Sequence, residues 1–168
     1  MEALRATRKG LAIVPALAYF LVAYLLVTVL AAGLTITYGA AYGLPEPDEL
    51  GVGLLQAPAF VATVPYHVLI MLGVWPVFAW IYFRGRRPES RDQEARQTWR
   101  LGSLWLVAAM VVDYVGFVLL DNPWSMTTRE LYVDYQPWIS LIYLSILVSP
   151  WIRLRLSTWR EAATAERR

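Results

Sequence analysis

Four long apolar stretches, separated by short polar segments, dominate the pattern of hydrophobic and polar positions along the chain. They cover residues 11–32, 60–83, 101–120 and 134–152, and they are free or nearly free of charged residues. About 20 apolar residues in a helix cross the hydrocarbon core of a bilayer. The pattern therefore predicts an all-α fold, a four-helix transmembrane bundle in one domain over residues 1–168. The short connections are expected to make consecutive helices antiparallel neighbours.

Residues near the ends of these stretches refine their limits. The first stretch continues without charge past residue 32, so its helix is expected to reach as far as Tyr38. Gly39 and Gly43 form a GxxxG pattern at or beyond that end, and we expect them to contribute little to packing. The run Thr127–Glu130 fits a capping box, which predicts that a helix starts near Thr127.

The fifteen Lys and Arg residues are distributed unevenly between the polar segments. Fourteen lie before the first stretch, between the second and third, or after the fourth, and only Arg129 lies in the remaining connections. Basic residues that flank membrane spans are enriched on the cytoplasmic side. The distribution predicts cytoplasmic N and C termini and a multi-pass protein of the cell (inner or plasma) membrane.

Composition agrees with a membrane location and excludes several kinds of site. Apolar residues form 58% of the chain and charged residues 17%, against roughly 45–50% and 25% in soluble domains. Cysteine is absent and His67 is the only histidine, which excludes thiolate, iron–sulfur and multi-histidine metal sites built from this chain alone. The arginine clusters flank apolar stretches, which indicates membrane insertion. We expect no cofactor, no metal and no nucleic-acid partner, with membrane lipids as the surroundings.

Asp113 is the most distinctive chemical feature because it lies inside the third apolar stretch. A carboxylate at the bilayer centre costs a few kcal/mol, and intramembrane ionisable residues commonly mark functional sites. Gly102, Ala109 and Gly116 recur every seven residues along the same helix, on the face that carries Asp113. Small residues let helix backbones approach closely. These three residues are the predicted helix-packing seam, and Asp113 is expected to point into the bundle.

His67 is expected to lie near Asp113. Each residue lies about seven residues below the outer end of its span, which places both at similar depth on antiparallel helices. Tyr143 lies near the same level, and Tyr66 and Tyr114 are sequence neighbours of the pair. These five residues are candidates for a proton-responsive or ligand-binding site, in which the carboxylate favours a charged histidine. Alternatively, Asp113 and His67 only satisfy each other or backbone groups as polar contacts between helices.

Three functions remain open at the level of the sequence. The first is a non-catalytic subunit or an interaction and assembly module in the bilayer, either as a homo-oligomer or within a larger membrane complex. The second is a small oligomeric transporter or channel whose path is lined by an intramembrane His/Asp pair. The third is a membrane enzyme that acts on a lipid. The sequence favours the first and nominates no catalytic residue, because it contains no phosphate-binding loop, zinc-protease motif or nucleophile elbow.

Overall fold

The computed structural model describes residues 12–84, 90–122 and 124–165, with side chains as far as residue 156. Four long helices carry most of the chain: α1 (Ile13–Tyr42), α3 (Pro58–Phe83), α4 (Arg91–Asp113) and α5 (Trp138–Ala165). A short helix, α2 (Pro47–Leu50), lies between α1 and α3 in the chain. The four long elements are long and apolar enough to cross a membrane. The prediction of an all-α, four-helix bundle is confirmed.

Two short π-helical segments, Tyr114–Leu119 and Glu130–Asp134, lie in the chain between α4 and α5. The first continues α4 directly, so the third apolar helix reaches Leu119. The second begins at the predicted capping box, where the backbone N–H of Thr127 donates to Glu130 Oε2 at 2.7 Å. In return, the Glu130 N–H donates to Thr127 Oγ1 at 3.2 Å, as the motif requires.

Several predicted helix limits differ from the structure. α4 begins at Arg91, ten residues before the predicted residue 101, and α5 continues past residue 152 to Ala165. α1 ends at Tyr42, ten residues beyond the apolar stretch and four beyond the expected helix end at Tyr38, where Gly43 closes it in a left-handed conformation with φ of 60°. Glycine adopts this conformation without the steric penalty of a Cβ atom. α5 begins at Trp138, because the residues from Glu130 to Asp134 form the π-helical segment before it.

The four long helices form two antiparallel pairs, α1 with α3 and α4 with α5. Contacts at two levels of each pair define these directions: Tyr19–Tyr82 and Thr35–Thr63 in the first pair, and Glu94–Arg153 and Gly102–Leu147 in the second. The predicted antiparallel packing of consecutive helices therefore holds within each pair.

The two pairs join through α3 and α5, which run parallel. Phe60 contacts Tyr135 just before α5 begins, and Arg153 lies over the Phe83 ring near the other end of α3. α1 and α4 are also parallel but meet over a much shorter stretch. The order around the bundle is α1, α3, α5, α4. The short connection between α3 and α4 therefore does not make them main packing partners, which differs from the prediction.

Small residues allow α1 and α3 to approach closely. A methyl group added to Gly39 would lie only 3.2 Å from Ala59 Cβ. One turn further along each helix, Thr35 meets Thr63. Gly39 therefore lies inside α1 and at its interface with α3, and our expectation that it contributes little to packing is wrong. The cause is the greater length of α1.

Large aromatic side chains fill the middle of the bundle. Phe20, Trp75 and Trp105 are fully buried, and the Trp75 ring lies 5.7 Å from Phe20 and 5.4 Å from Trp105. The indole N–H of Trp105 donates to the backbone oxygen of Ala16 at 2.9 Å, which ties α4 to α1. In a bilayer, where lipid is as apolar as the core, such packing and hydrogen bonds drive helix association.

Apolar side chains also cover the outside of the bundle. On α1, for example, Val14 is 80% exposed, and Leu25 and Val29 are exposed as well. Such a surface in water would be an aggregation hazard, whereas lipid solvates it. With four candidate spans, the chain is a multi-pass membrane protein. Its orientation stays a prediction, and several residues that carry it lie outside the described residues: Arg5, Arg8, Lys9, Arg86, Arg87, Arg167 and Arg168.

Candidate functional site

Asp113 ends α4 and lies inside the bundle, with only 7% of its surface exposed. The hydroxyl of Tyr24 on α1 donates a hydrogen bond to its carboxylate. Trp105 on α4 also bonds to Ala16 on α1, and the partners in each of the two contacts are 89 residues apart in sequence. One register of the parallel helices α1 and α4 therefore makes both contacts. α4 therefore carries the carboxylate to a point where α1 supplies its donor.

Two further tyrosines lie close to this carboxylate, and a third contacts one of them. Tyr143 of α5 interacts with Asp113 and with Tyr132, and Tyr135 lies within electrostatic range. The Tyr143 hydroxyl is shielded from solvent and makes no well-formed hydrogen bond to any described residue. We call these residues the Asp113 cluster: Asp113, Tyr24, Tyr132, Tyr135 and Tyr143.

Neutral hydroxyl groups surround Asp113 in place of a basic side chain. Two ion pairs of the described residues, Arg129–Asp134 and Arg153–Glu94, do not include this carboxylate. Burying a charge without an opposite charge nearby costs on the order of several kcal/mol. Hydroxyl donors offset part of that cost through charge-assisted hydrogen bonds. Chemically, such a group can hold a proton or accept a cation.

Irregular helical geometry flanks the cluster on both sides. The π-helical segment Tyr114–Leu119 starts immediately after Asp113, and the segment Glu130–Asp134 carries Tyr132. π-helical turns are rare and often occur at functional sites, because they shift side chains out of the regular helical register. Asp113 thus lies where the regular helix ends.

The predicted contact between His67 and Asp113 is not formed. His67 lies beside Thr35 and Ala31 on α1, whereas Asp113 bonds to Tyr24. Ala31 is seven residues beyond Tyr24, which corresponds to about 10 Å along the axis of α1. The two groups therefore lie at different depths. The prediction measured depth from the ends of the spans, and these ends are not level in the bundle.

His67 belongs to a separate chain of hydrogen bonds between α1 and α3. Thr63 donates its hydroxyl proton to the carbonyl oxygen of Ala59 at 2.8 Å, so its oxygen is left to accept from Thr35 Oγ1, also at 2.8 Å. Because a hydroxyl has one proton, Thr35 then accepts from His67 Nε2 at 3.0 Å. This order places a proton on Nε2 and makes His67 a polar contact between two helices.

The remaining residues predicted from the sequence fall into two groups. Tyr66 is 54% exposed and Tyr114 is 38% exposed, so both have large surfaces outside the bundle. In the seam, Gly102 and Ala109 are buried, and Gly102 faces the backbone of Leu147. Gly116, in contrast, faces open space within the π-helical segment. The small-residue seam therefore ends before Gly116.

Sequence reasoning missed three members of the cluster, Tyr24, Tyr132 and Tyr135. Tyr24 lies deep within the first apolar stretch, far from the interfacial level that tyrosine usually prefers. That unusual position was a usable signal. Tyr132 and Tyr135 gave no such signal, because tyrosines close to the predicted outer end of a span are expected at the lipid headgroups.

Carboxylates, histidines and cysteines do not gather into a group of three or more anywhere in the described part of the chain. Comparisons of the chain with protein-family models, with curated proteins and with solved structures find no match. The fold and the site therefore define the protein by class alone: a multi-pass membrane protein with four long helices and a buried carboxylate among tyrosines.

Proposed function

We propose that the protein is a small membrane transporter or channel module in which Asp113 takes up and releases a proton or a cation. The observation that carries this proposal is the burial of Asp113 among hydroxyl groups, without a basic partner among the described residues. Ionisable groups in this setting are the usual elements of ion and proton pathways. His67 has no part in the path, because it is bonded between α1 and α3.

The geometry also supports a conformational response to the charge on Asp113. An ionised carboxylate can only accept hydrogen bonds, whereas a protonated one also donates. Tyr24 and Tyr143 come from two different helices and both face this group. A change of protonation therefore alters the contacts that link α1 and α5 to α4. The short contact between α1 and α4 is the part of the bundle that such a change affects most.

The test is charge movement in a reconstituted membrane. The protein is placed in proteoliposomes on a solid-supported electrode, and the outside solution is stepped to lower pH. We expect a transient current in the wild type and none for Asp113→Asn. An Asp92→Asn control should keep the current, because Asp92 is exposed at the end of α4 opposite Asp113. Equal currents from the wild type and Asp113→Asn, or no current from a folded wild type, would refute the proposal.

A second candidate is the non-catalytic assembly module favoured by the sequence. One observation supports it: α1 packs mainly on α3, and an added methyl group on Gly33 would meet nothing within 4 Å. Small residues on a free helix face favour close helix association. The chain has no cysteine, so Gly33→Cys gives a single labelled site. Disulfide-linked dimers from Gly33→Cys, but not from Gly73→Cys, support assembly through this face, and dimers from neither variant oppose it.

A further inference from the structure

We propose that the Asp113 cluster is a binding site for a small organic ammonium cation, which names the substrate class of the proposed function and rests on it. The ammonium group would meet the carboxylate, and the tyrosine rings would surround its apolar part. Three features of the described residues lead to this ligand class. They are the composition of the cluster, the charge of the connections beside it and the arrangement of its hydrogen bonds.

The composition of the cluster matches the chemistry of an ammonium ligand. Its one carboxylate, Asp113, supplies a single negative charge, and the four tyrosines of the cluster supply hydroxyls carried on aromatic rings. Aromatic faces attract organic cations through their electron-rich π systems. The Phe60 ring, 5.7 Å from Tyr135, extends the aromatic wall towards α3.

The same donor set argues against a metal cation. Calcium requires six to eight oxygen ligands, and magnesium requires a nearly ideal octahedron. The cluster has one carboxylate, and the other oxygen atoms are phenolic hydroxyls. His67, the only imidazole in the chain, lies beside Ala31, which is about 10 Å along the axis of α1 from Tyr24. An organic ammonium ion needs few hydrogen-bond acceptors and carries an apolar part, so it suits these groups better than a divalent metal ion does.

The connections on the predicted outer side carry a strong negative charge. Arg129 is the only basic residue in them, against six carboxylates: Glu46, Asp48, Glu49, Asp121, Glu130 and Asp134. Two of these residues, Glu130 and Asp134, belong to the π-helical segment that also carries Tyr132. A surface of one charge sign raises the local concentration of ligands of the opposite sign. The field at this end of the bundle therefore favours the approach of cations.

The hydrogen bonds show how a ligand would enter. In the described structure the Tyr24 hydroxyl donates to Asp113, and the buried Tyr143 hydroxyl lacks a well-formed bond. An ammonium N–H can replace the Tyr24 O–H as the donor to the carboxylate. Tyr143 can then accept from the same ammonium group, which satisfies its oxygen.

The first experiment compares two probes of similar size, benzylammonium and neutral benzyl alcohol, by titration calorimetry on the full chain in an uncharged detergent. We expect benzylammonium to bind at least about tenfold more tightly than the alcohol, because only the cation pairs with the carboxylate. Equal affinity for the two probes would overturn the proposal. This comparison uses the wild-type protein and so does not depend on the folding of any variant.

Variants then locate the site. Asp113→Asn removes the charge and is expected to weaken benzylammonium binding at least about 30-fold. Tyr143→Phe removes the hydroxyl that accepts from the ammonium group and is expected to weaken binding. Tyr143→Leu removes the ring as well and is expected to weaken binding by a further factor of about 2 to 30. Asp92→Asn, in the first turn of α4 and at the end opposite Asp113, is the matched carboxylate control and is expected to retain wild-type affinity. If Asp113→Asn and Asp92→Asn weaken binding equally, the probe is bound elsewhere and the proposal fails.

The two proposals fail in different ways. If benzylammonium does not bind but the acid step still moves charge through Asp113, the ligand class is wrong and the proton-handling function stands. If benzylammonium binds at Asp113 but the acid step moves no charge, the site is real and the transport function is wrong. Calorimetry and the current measurement are therefore both needed.

Discussion

Substitution of Gly102 by alanine tests the packing of α4 against α5 most directly. A Cβ atom at this position would collide with the backbone carbonyl oxygen of Leu147 and lie 3.3 Å from the carbonyl carbon. A carbon–oxygen contact normally requires about 3.3 Å or more. Leu147 lies in the middle of α5 and its backbone cannot turn away, so the two helices must separate. Overpacking of this kind typically costs about 1–3 kcal/mol.

A favourable effect opposes part of this cost. Alanine is better than glycine inside a helix by about 1 kcal/mol. The expected net destabilisation of Gly102→Ala is therefore up to about 2 kcal/mol relative to the wild type, and about 1–3 kcal/mol relative to alanine variants of uncrowded helix glycines. For a chain of this length, 1 kcal/mol shifts Tm by about 2–4 °C, which predicts a decrease of up to about 8 °C from the wild type.

The assay is thermal unfolding in a neutral detergent, followed by circular dichroism and by loss of the monodisperse elution peak. Gly33→Ala on α1 and Gly73→Ala on α3 are matched controls, because an added methyl group meets nothing within 4 Å at either position. We expect both controls to unfold at or slightly above the wild-type Tm. A Gly102→Ala protein as stable as these controls would refute the close approach of α4 and α5.

Three further predictions concern polar contacts. Tyr24→Phe removes the hydroxyl that donates to the Asp113 carboxylate and should lower the free energy of unfolding by about 1–3 kcal/mol. Denaturant titration measures this change, and an unchanged free energy would argue against the Tyr24–Asp113 hydrogen bond. Glu94 and Arg153 are mostly buried, and their charged groups are 2.6 Å apart. A double-mutant cycle with Glu94→Gln and Arg153→Gln should therefore give a coupling free energy of about 1–2 kcal/mol. Additive effects of the two substitutions would show that the pair is not coupled. Hydrogen bonds from the Thr127 backbone N–H and hydroxyl lower the pKa of Glu130. The capping box therefore stabilises the fold fully at pH values above the ordinary carboxyl pKa, and this stabilisation is lost as the pH falls through the lowered pKa. Thr127→Val should raise the Glu130 pKa towards its ordinary value in a carbon-13 NMR titration, and an unchanged pKa would contradict this account.

Local features were predictable because they depend on residues close together in the chain. The four apolar stretches correspond to the four long helices, since span length is set by the thickness of the bilayer. The capping box at Thr127 formed as expected, because its two hydrogen bonds join residues three apart. The buried position of Asp113 also agreed with the expectation that a carboxylate avoids lipid.

Contacts between helices were harder to predict because they depend on relative height and rotation. The pairing of His67 with Asp113 assumed that the second and third spans end at one level, but His67 lies beside Ala31 and Asp113 bonds to Tyr24, seven residues apart on α1. The seam was expected to include Gly116, but this residue lies in the π-helical segment that follows Asp113 and faces open space. The apolar pattern encodes neither the relative height of packed helices nor a change of helical register.

The sequence by itself determined that the chain crosses a membrane, how many long helices it has and which residue carries a charge inside them. These properties follow from hydropathy summed along the chain, which needs no knowledge of neighbouring helices. The tertiary structure alone decided what surrounds that charge. Tyr24 and Asp113 are 89 residues apart in sequence, and Tyr143 lies on a third helix. Their meeting depends on the register and rotation of three packed helices, which hydropathy does not encode.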